Sequence, residues 1–220
     1  MSADFKLVIF DCDGVLVDSE PITNRMMAED MTKQGLPMTR DEAIELFVGG
    51  TIQSVFELAR SKGATLPDDW VETFYERMIE TLRKEITIIP GIEGVLDALD
   101  RAGIPYCVAS NGPMRKMEAT LGETGLWDRL EGRLHSAHEV GVAKPDPGLF
   151  LHAALTMGVA PRDAVVIEDS NSGVRAAEAA GMRCYGFTRD TPEAKLTAHG
   201  AIPFDDMADL PGLLGIADPA

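Results

Sequence analysis

Residues 5–17 read FKLVIFDCDGVLV. Leu7 to Phe10 make a short, wholly apolar run, the pattern of a strand buried on both faces. The run leads directly into two carboxylates one residue apart, Asp11 and Asp13, with Gly14 next. Burying acids at a strand end costs free energy unless something compensates them. Either the strand stops there and the acids sit in water, or they hold a cation and do chemistry.

The surrounding chain narrows the choice. Its 220 residues can build one ordinary domain plus a small extra one. No run approaches the roughly 18 apolar residues of a membrane span. The N-terminus lacks the basic segment and long apolar stretch of a secretory signal, so neither a membrane nor export is expected. Cys12, Cys107 and Cys184 are odd in number, widely spaced and set among apolar residues. That fits reduced core thiols in the cytoplasm, and neither a disulfide framework nor a zinc site. With 20 Lys and Arg against 36 Asp and Glu, the formal charge is −16. Such a surface repels nucleic acid, and a phosphate-bearing ligand needs a local, concentrated positive site. The motifs GxxxxGK[ST], GxSxG and CxxC are missing, which removes P-loop, serine-hydrolase and thiol-redox readings.

From about residue 18 to 85 the pattern is helical only. Ser19 is placed to cap a helix with Pro21 in its first turn. Trp70, Val71, Phe74, Tyr75, Met78, Ile79 and Leu82 recur at three- and four-residue spacing, an apolar stripe on a helix opened by Asp68 or Asp69. Residues 86–91, with Pro90-Gly91, read as a linker. Beyond it helices and strands alternate: helices near 92–102, 113–122, 147–157 and 170–180, strands near 105–109, 133–136, 164–167 and 183–187, then a weaker helix–strand–helix. Alternation of this kind predicts an α/β fold, a doubly wound parallel sheet with a Rossmann-like core. The all-helical block after the first strand becomes a second, smaller domain. The expected boundaries are 1–17 and 88–220 for the core and 18–87 for the insert.

Ligands of open parallel sheets bind beyond the carboxyl ends of the strands. Those ends carry Asp11 and Asp13, Ser110-Asn111-Gly112-Pro113, and Glu168-Asp169-Ser170, while Ala143-Lys144-Pro145-Asp146 precedes a helix. Each has a plainer account alone: a turn at Asp13-Gly14, helix caps at Ser110-Asn111 and Asp169-Ser170, a solvated loop lysine at 144. Capping does not explain all four on one sheet edge. Residues i and i+2 of an extended chain face one side, so Asp11 and Asp13 can share a site. Asp11, Glu168 and Asp169 supply a hard, oxygen-only set suited to Mg²⁺. Ser110, Lys144 and amides near Pro113 can bind phosphate oxygens. One carboxylate can then attack phosphorus, and the other can move protons.

DCDGVLVDSE, VASNG, AKPDPGLF and VIEDSNSG together resemble the four motifs of the haloacid dehalogenase-like superfamily, in order and with typical separations. The helical insert resembles the cap of the subgroup containing β-phosphoglucomutase and small sugar phosphatases. The resemblance implies Asp11 as nucleophile and metal ligand, and Asp13 as general acid/base with its backbone carbonyl as a further ligand. It implies Ser110 and Lys144 as phosphate binders, Asn111 as support for that loop, and Glu168 and Asp169 as holders of Mg²⁺. Gly173 is expected to let its helix approach closely. Asp13 favours phosphoryl transfer over dehalogenation. Lys33, Lys62 and Lys84 read as helix-surface lysines and not as a phosphonatase-type cap lysine. Thr23 stands near the place of the mutases' cap histidine, and FVGGTIQ has no arginine after its glycines, which favours water as acceptor. DCDGVLVDSE together with SNGPMRKM is similar to bacterial 6-phosphogluconate phosphatases and related sugar-phosphate phosphatases. Glu20, Gly49, Gly50 and Gln53 are the insert residues expected to face substrate. The expected activity is Mg²⁺-dependent hydrolysis of a small sugar or sugar-acid phosphate through an aspartyl-phosphate, by a cytoplasmic monomer. The alternatives are a sugar-phosphate mutase and a non-catalytic phospholigand-binding module. His135 and His138 read as a loop or strand-edge pair, and Met26, Met27 and Met31 as core of the insert.

Overall fold

A computed structural model describes residues 4–47 and 51–216. Strand β1 (Leu7–Phe10) is followed by four helices, α1 (Glu20–Lys33), α2 (Arg40–Phe47), α3 (Ile52–Ser61) and α4 (Trp70–Glu85). Alternation then begins with α5 (Ile92–Ala102), β2 (Tyr106–Ser110), α6 (Met114–Glu123), α7 (Trp127–Leu130), β3 (Leu134–Ser136), α8 (Ala137–Val140) and α9 (Gly148–Thr156). It continues through β4 (Ala164–Glu168), α10 (Asn171–Ala180), β5 (Arg183–Phe187), α11 (Glu193–Thr197), β6 (Ile202–Phe204) and α12 (Leu210–Leu213). The expected α/β alternation is therefore present, with element ends within a residue or two of those read from the sequence.

The six strands form one parallel sheet in the order β3-β2-β1-β4-β5-β6. β1 is central because it is apolar on both faces. Val8 and Phe10 join Val95, Leu96, Leu99, Met117 and Leu121 on one side. Leu7 and Ile9 join Leu149, Phe150, Ala153, Val174 and Ala177 on the other. All four β1 residues are fully buried, each worth about 1.5–3 kcal/mol relative to exposure. After β1 the chain winds outward through β2 and β3, then crosses back to place β4 on the opposite flank of β1. The reversal opens a crevice at the carboxyl ends of β1 and β4.

Helices α1–α4 surround their own apolar cluster, with Met27, Met31, Trp70, Phe74, Met78 and Leu82 at its centre. A buried acid organises it. The Trp70 indole nitrogen donates to Asp30 at 2.5 Å, and Arg77 donates to the same carboxylate at 2.8 and 3.1 Å. The chain leaves and re-enters the sheet region along paired segments: Val17 lies opposite Ile88 in an antiparallel bridge, Asp18 N donates to Thr87 O, and Ile89 N donates to Leu16 O. Among the described residues no helix is long and apolar enough to cross a membrane.

Candidate active site

The period of an extended chain sorts residues 11–13. Cys12 turns into the core, while Asp11 and Asp13 both line the cavity beneath the helical insert. The Asp11 amide donates to Ile167 O at 2.9 Å, which carries the β1–β4 pairing to the sheet edge. Glu168 ends β4 and Asp169 follows, so Asp11, Glu168 and Asp169 converge, with one oxygen from each within 4.8 Å of the others. Gly14 is required here twice: its φ is +76°, and any side-chain carbon on it would overlap the Asp169 carboxylate.

Lys144 is the counter-charge. Its side chain is 2% exposed, and its ammonium donates to Asp11 Oδ1 at 2.7 Å and Glu168 Oε1 at 2.6 Å. The loop bearing it is stapled by Asn111, whose Oδ1 accepts from Lys144 N at 2.9 Å and whose Nδ2 donates to Lys144 O at 3.2 Å. Asn111 thereby ties the end of β2 to the Lys144 loop. Glu168 is fully buried, and its second oxygen accepts from Asp169 N, Ser170 N and Ser170 Oγ at 3.0, 2.9 and 2.9 Å. Glu168 thus fixes Lys144 and the 168–170 turn besides standing in the oxygen cluster. Gly173 faces it across the first turn of α10, and a Cβ there would overlap its carboxylate. The expected close approach is present.

Asp13 has a different setting. Its carboxylate accepts from Ser19 Oγ and, at 2.6 Å, from the Lys116 ammonium. It does not join the oxygens of Asp11, Glu168 and Asp169. Burial opposes its ionisation, but the Lys116 charge and the bonds from Lys116 and Ser19 outweigh burial and hold the carboxyl below its ordinary value. The neighbouring acids go the other way. Burial, with the charges of Glu168 and Asp13, pushes Asp11 up to about 7 against the pull of Lys144. Burial and the charges of Glu20, Glu168 and Asp11 push Asp169 well up. Two acids raised by burial and then by mutual repulsion in an all-oxygen cluster are what a hard divalent cation would relieve. The donor set fits such an ion.

The remaining expected residues divide. Ser110, 1% exposed, accepts from Gly112 N at 3.0 Å and lines the cavity with Asn111. Glu20 lines it from α1, its carboxyl raised to about 7 by burial first and then by Asp13 and Asp190. Gly49 and Gly50 lie outside the described residues. Gln53 does not face the cavity: it is exposed and donates to Glu57 at 2.9 Å, because the α3 helix turns it outward, and Thr51 and Ile52 line the wall instead. Ser19 precedes α1 as expected but does not cap it, its hydroxyl being given to Asp13. The α4 stripe has two uses, since Tyr75 and Met78 reach the cavity while Trp70 and Phe74 fill the insert. Met27 also lines the cavity.

Lys116 was not foreseen. It sits three residues after Pro113 in the first turn of α6, and helical side chains lean toward the N-terminus, so its ammonium returns to the strand ends. A lysine inside SNGPMRKM was the available signal. His138 faces Tyr75, and His135 stacks edge-on to His152; neither lines the cavity.

Residues 5–181 match the family model of haloacid dehalogenase-like hydrolases. The chain belongs to that family. It is 31% identical over 211 residues to the 6-phosphogluconate phosphatase of Escherichia coli, covering 94% of each chain. A haloacid dehalogenase-like protein of unknown function from Agrobacterium tumefaciens superimposes with a TM-score of 0.81 at 34% identity, covering 96% of this chain and 98% of the other. A family hydrolase from Deinococcus radiodurans, solved with bound phosphate and sodium, gives a TM-score of 0.79 at 30% identity, covering 99% and 100%.

Proposed function

We propose that this haloacid dehalogenase-like hydrolase is a phosphatase of small phosphorylated metabolites, with Asp11 as nucleophile and Asp13 as proton carrier. One observation carries the reading: Asp11 stands where Lys144, Glu168 and Asp169 converge, while Asp13, two residues on, has separate partners in Ser19 and Lys116. Two adjacent carboxylates in unlike surroundings suit unlike roles.

Asp11, Asp169 and Glu168, with the Asp13 backbone carbonyl, would hold Mg²⁺. When bound, that ion supplies positive charge against the non-bridging phosphate oxygens and offsets the repulsion among the acids. Lys144 and Ser110 take further phosphate oxygens by hydrogen bonds, charge-assisted at Lys144. An Asp11 oxygen attacks phosphorus, and the ester oxygen leaves with a proton from Asp13, whose carboxylate is ionised at rest and takes that proton from water as the anionic substrate binds; an aspartyl-phosphate results. Asp13 then takes a proton from the water that attacks this phosphorus, which frees phosphate and restores Asp11.

Residues 18–87 act as a cap over the core formed by 1–17 and 88–220, opening at Val17–Ser19 and Ile86–Gly91 to admit substrate and closing to exclude water. An unchanged cap-to-core distance distribution on adding a phosphate mimic would count against that motion. The enzyme works as a monomer in the cytoplasm, in keeping with three free, buried cysteines. Phosphate release from a panel of phosphorylated sugars, sugar acids and glycolate, with and without Mg²⁺, tests the whole reading. A mutase would instead need a bisphosphate activator and interconvert isomers with little release.

A further inference from the structure

The cavity has two unlike walls. The sheet wall carries the reacting groups, and both of its ammonium ions, Lys144 and Lys116, are already engaged with carboxylates. Among the described residues, the wall supplied by the helical insert holds no arginine or lysine. Arg25, Arg77 and Arg83 of the insert pair with Glu85, Asp30 and Glu123. Arg115, near Tyr75, is held by a bidentate pair with Glu72 at 2.5 and 2.9 Å. Residues 48–50, outside the description, are Val-Gly-Gly and bring no charge. Among the described residues, the one carboxyl that the insert turns to the cavity is that of Glu20.

That wall is nevertheless polar at one spot. Thr23 Oγ1 is buried and has no hydrogen-bond partner among the described residues. Asn24, on the same turn of α1, is 7% exposed, lines the cavity, and its amide enters none of the hydrogen bonds among the described residues. Buried polar groups without partners are costly, and a ligand that supplies the missing partners recovers that cost. An amide and a hydroxyl both donate and accept, which matches alcohol hydroxyls. A substrate carboxylate or second phosphate in the same place would be desolvated near Asp13 and Glu20 with no free cation to meet it.

We infer that the end of the substrate remote from its phosphate is uncharged and hydroxylated, and that Thr23 and Asn24 read it. The preferred class is a polyol or neutral sugar monophosphate, in preference to a sugar-acid phosphate or a bisphosphate. This inference rests on the phosphatase reading above and selects among its substrates.

A matched pair decides it: a hexitol 6-phosphate and the hexonate 6-phosphate of the same length, which differ at the far carbon only by the carboxylate. With Mg²⁺ present, kcat/KM should favour the hexitol ester by about tenfold or more. In Asn24→Leu, the ratio of kcat/KM for the hexitol ester to that for propyl phosphate, which has no hydroxyl to read, should fall by about tenfold or more, mainly through KM. Equal or better turnover of the hexonate ester overturns the inference, as does an Asn24→Leu loss shared alike by both esters in a variant that keeps its melting midpoint. If none of the three esters releases phosphate, the phosphatase reading fails separately. Calorimetric binding of the matched pair then still decides the inference, with tighter hexitol ester binding expected and equal binding refuting it.

Discussion

Adding one methyl group at Gly173 should cost the fold about 2 kcal/mol or more. The new Cβ would overlap the carboxylate of Glu168, which is fully buried and accepts four hydrogen bonds, from Lys144 at 2.6 Å, Ser170 N and Oγ at 2.9 Å each, and Asp169 N at 3.0 Å. Relief has two routes. Rotating the carboxylate breaks bonds to a charged acceptor, worth ~1.5–3 kcal/mol each. Moving α10 away from β4 strains a packed interface at ~1–3 kcal/mol. Alanine's better helix propensity returns at most ~1 kcal/mol. For a chain of this size each kcal/mol moves the midpoint by about 2–4 °C, so Gly173→Ala should melt about 4–8 °C lower. Gly94→Ala in α5, where a Cβ meets nothing within 4 Å, should melt no lower than the parent. Thermal unfolding by circular dichroism reads both, and turnover should fall in the first, since Lys144 and Asp169 flank the displaced group. A Gly173→Ala protein that melts with the parent and turns over normally would show that Glu168 is not held as described.

Asp11→Asn should fold and lose phosphate release by about 10³-fold or more, because the attacking carboxylate is gone; full activity in that variant would remove Asp11 as nucleophile. Without divalent cations, stability should decline as pH rises from about 4 to about 7. The folded-state carboxyl of Asp11 lies near 7 against an ordinary 3.8, so its contribution is complete at low pH and lost as the folded group ionises. Asp169 shifts in the same direction. Mg²⁺ should therefore raise the melting midpoint more at pH 8 than at pH 5, and an equal rise at both would contradict the cation site. Lys116→Met should lower kcat by about 10–100-fold with KM little changed, since Lys116 holds Asp13. A rise in KM with kcat intact would make Lys116 a substrate ligand instead.

Much of this was legible in the chain because the core signals are local. The apolar run at Leu7–Phe10, the acids after it and the helix–strand alternation beyond residue 91 each follow from periodicity within one window. Asp11, Asp13, Ser110, Glu168 and Asp169 can be placed near one another from the chain because strand ends of a parallel sheet meet at one edge, and Lys144 joins them from the loop before α9. What stayed hidden depends on tertiary contacts that no local pattern specifies. Ser19 looked like a helix cap until Asp13, six residues earlier, took its hydroxyl. Lys116 is separated from Asp13 by 103 residues. Gln53 points outward because of where α3 sits in the insert, which no local pattern specifies. Tyr75 and Met78 belong to the same apolar stripe as Trp70, and only the packing of α4 tells which members meet the cavity.

The clasp at Val17 and Ile88 means that, to the sheet, the whole helical block is one long hairpin with its stems buttoned together. Closing a loop costs only about 0.6 kcal/mol more for each doubling of its length, so what hangs beyond the button is nearly free to change. New appetites can be tried there by swapping the hanging part, while the reaction centre beneath never has to be rebuilt.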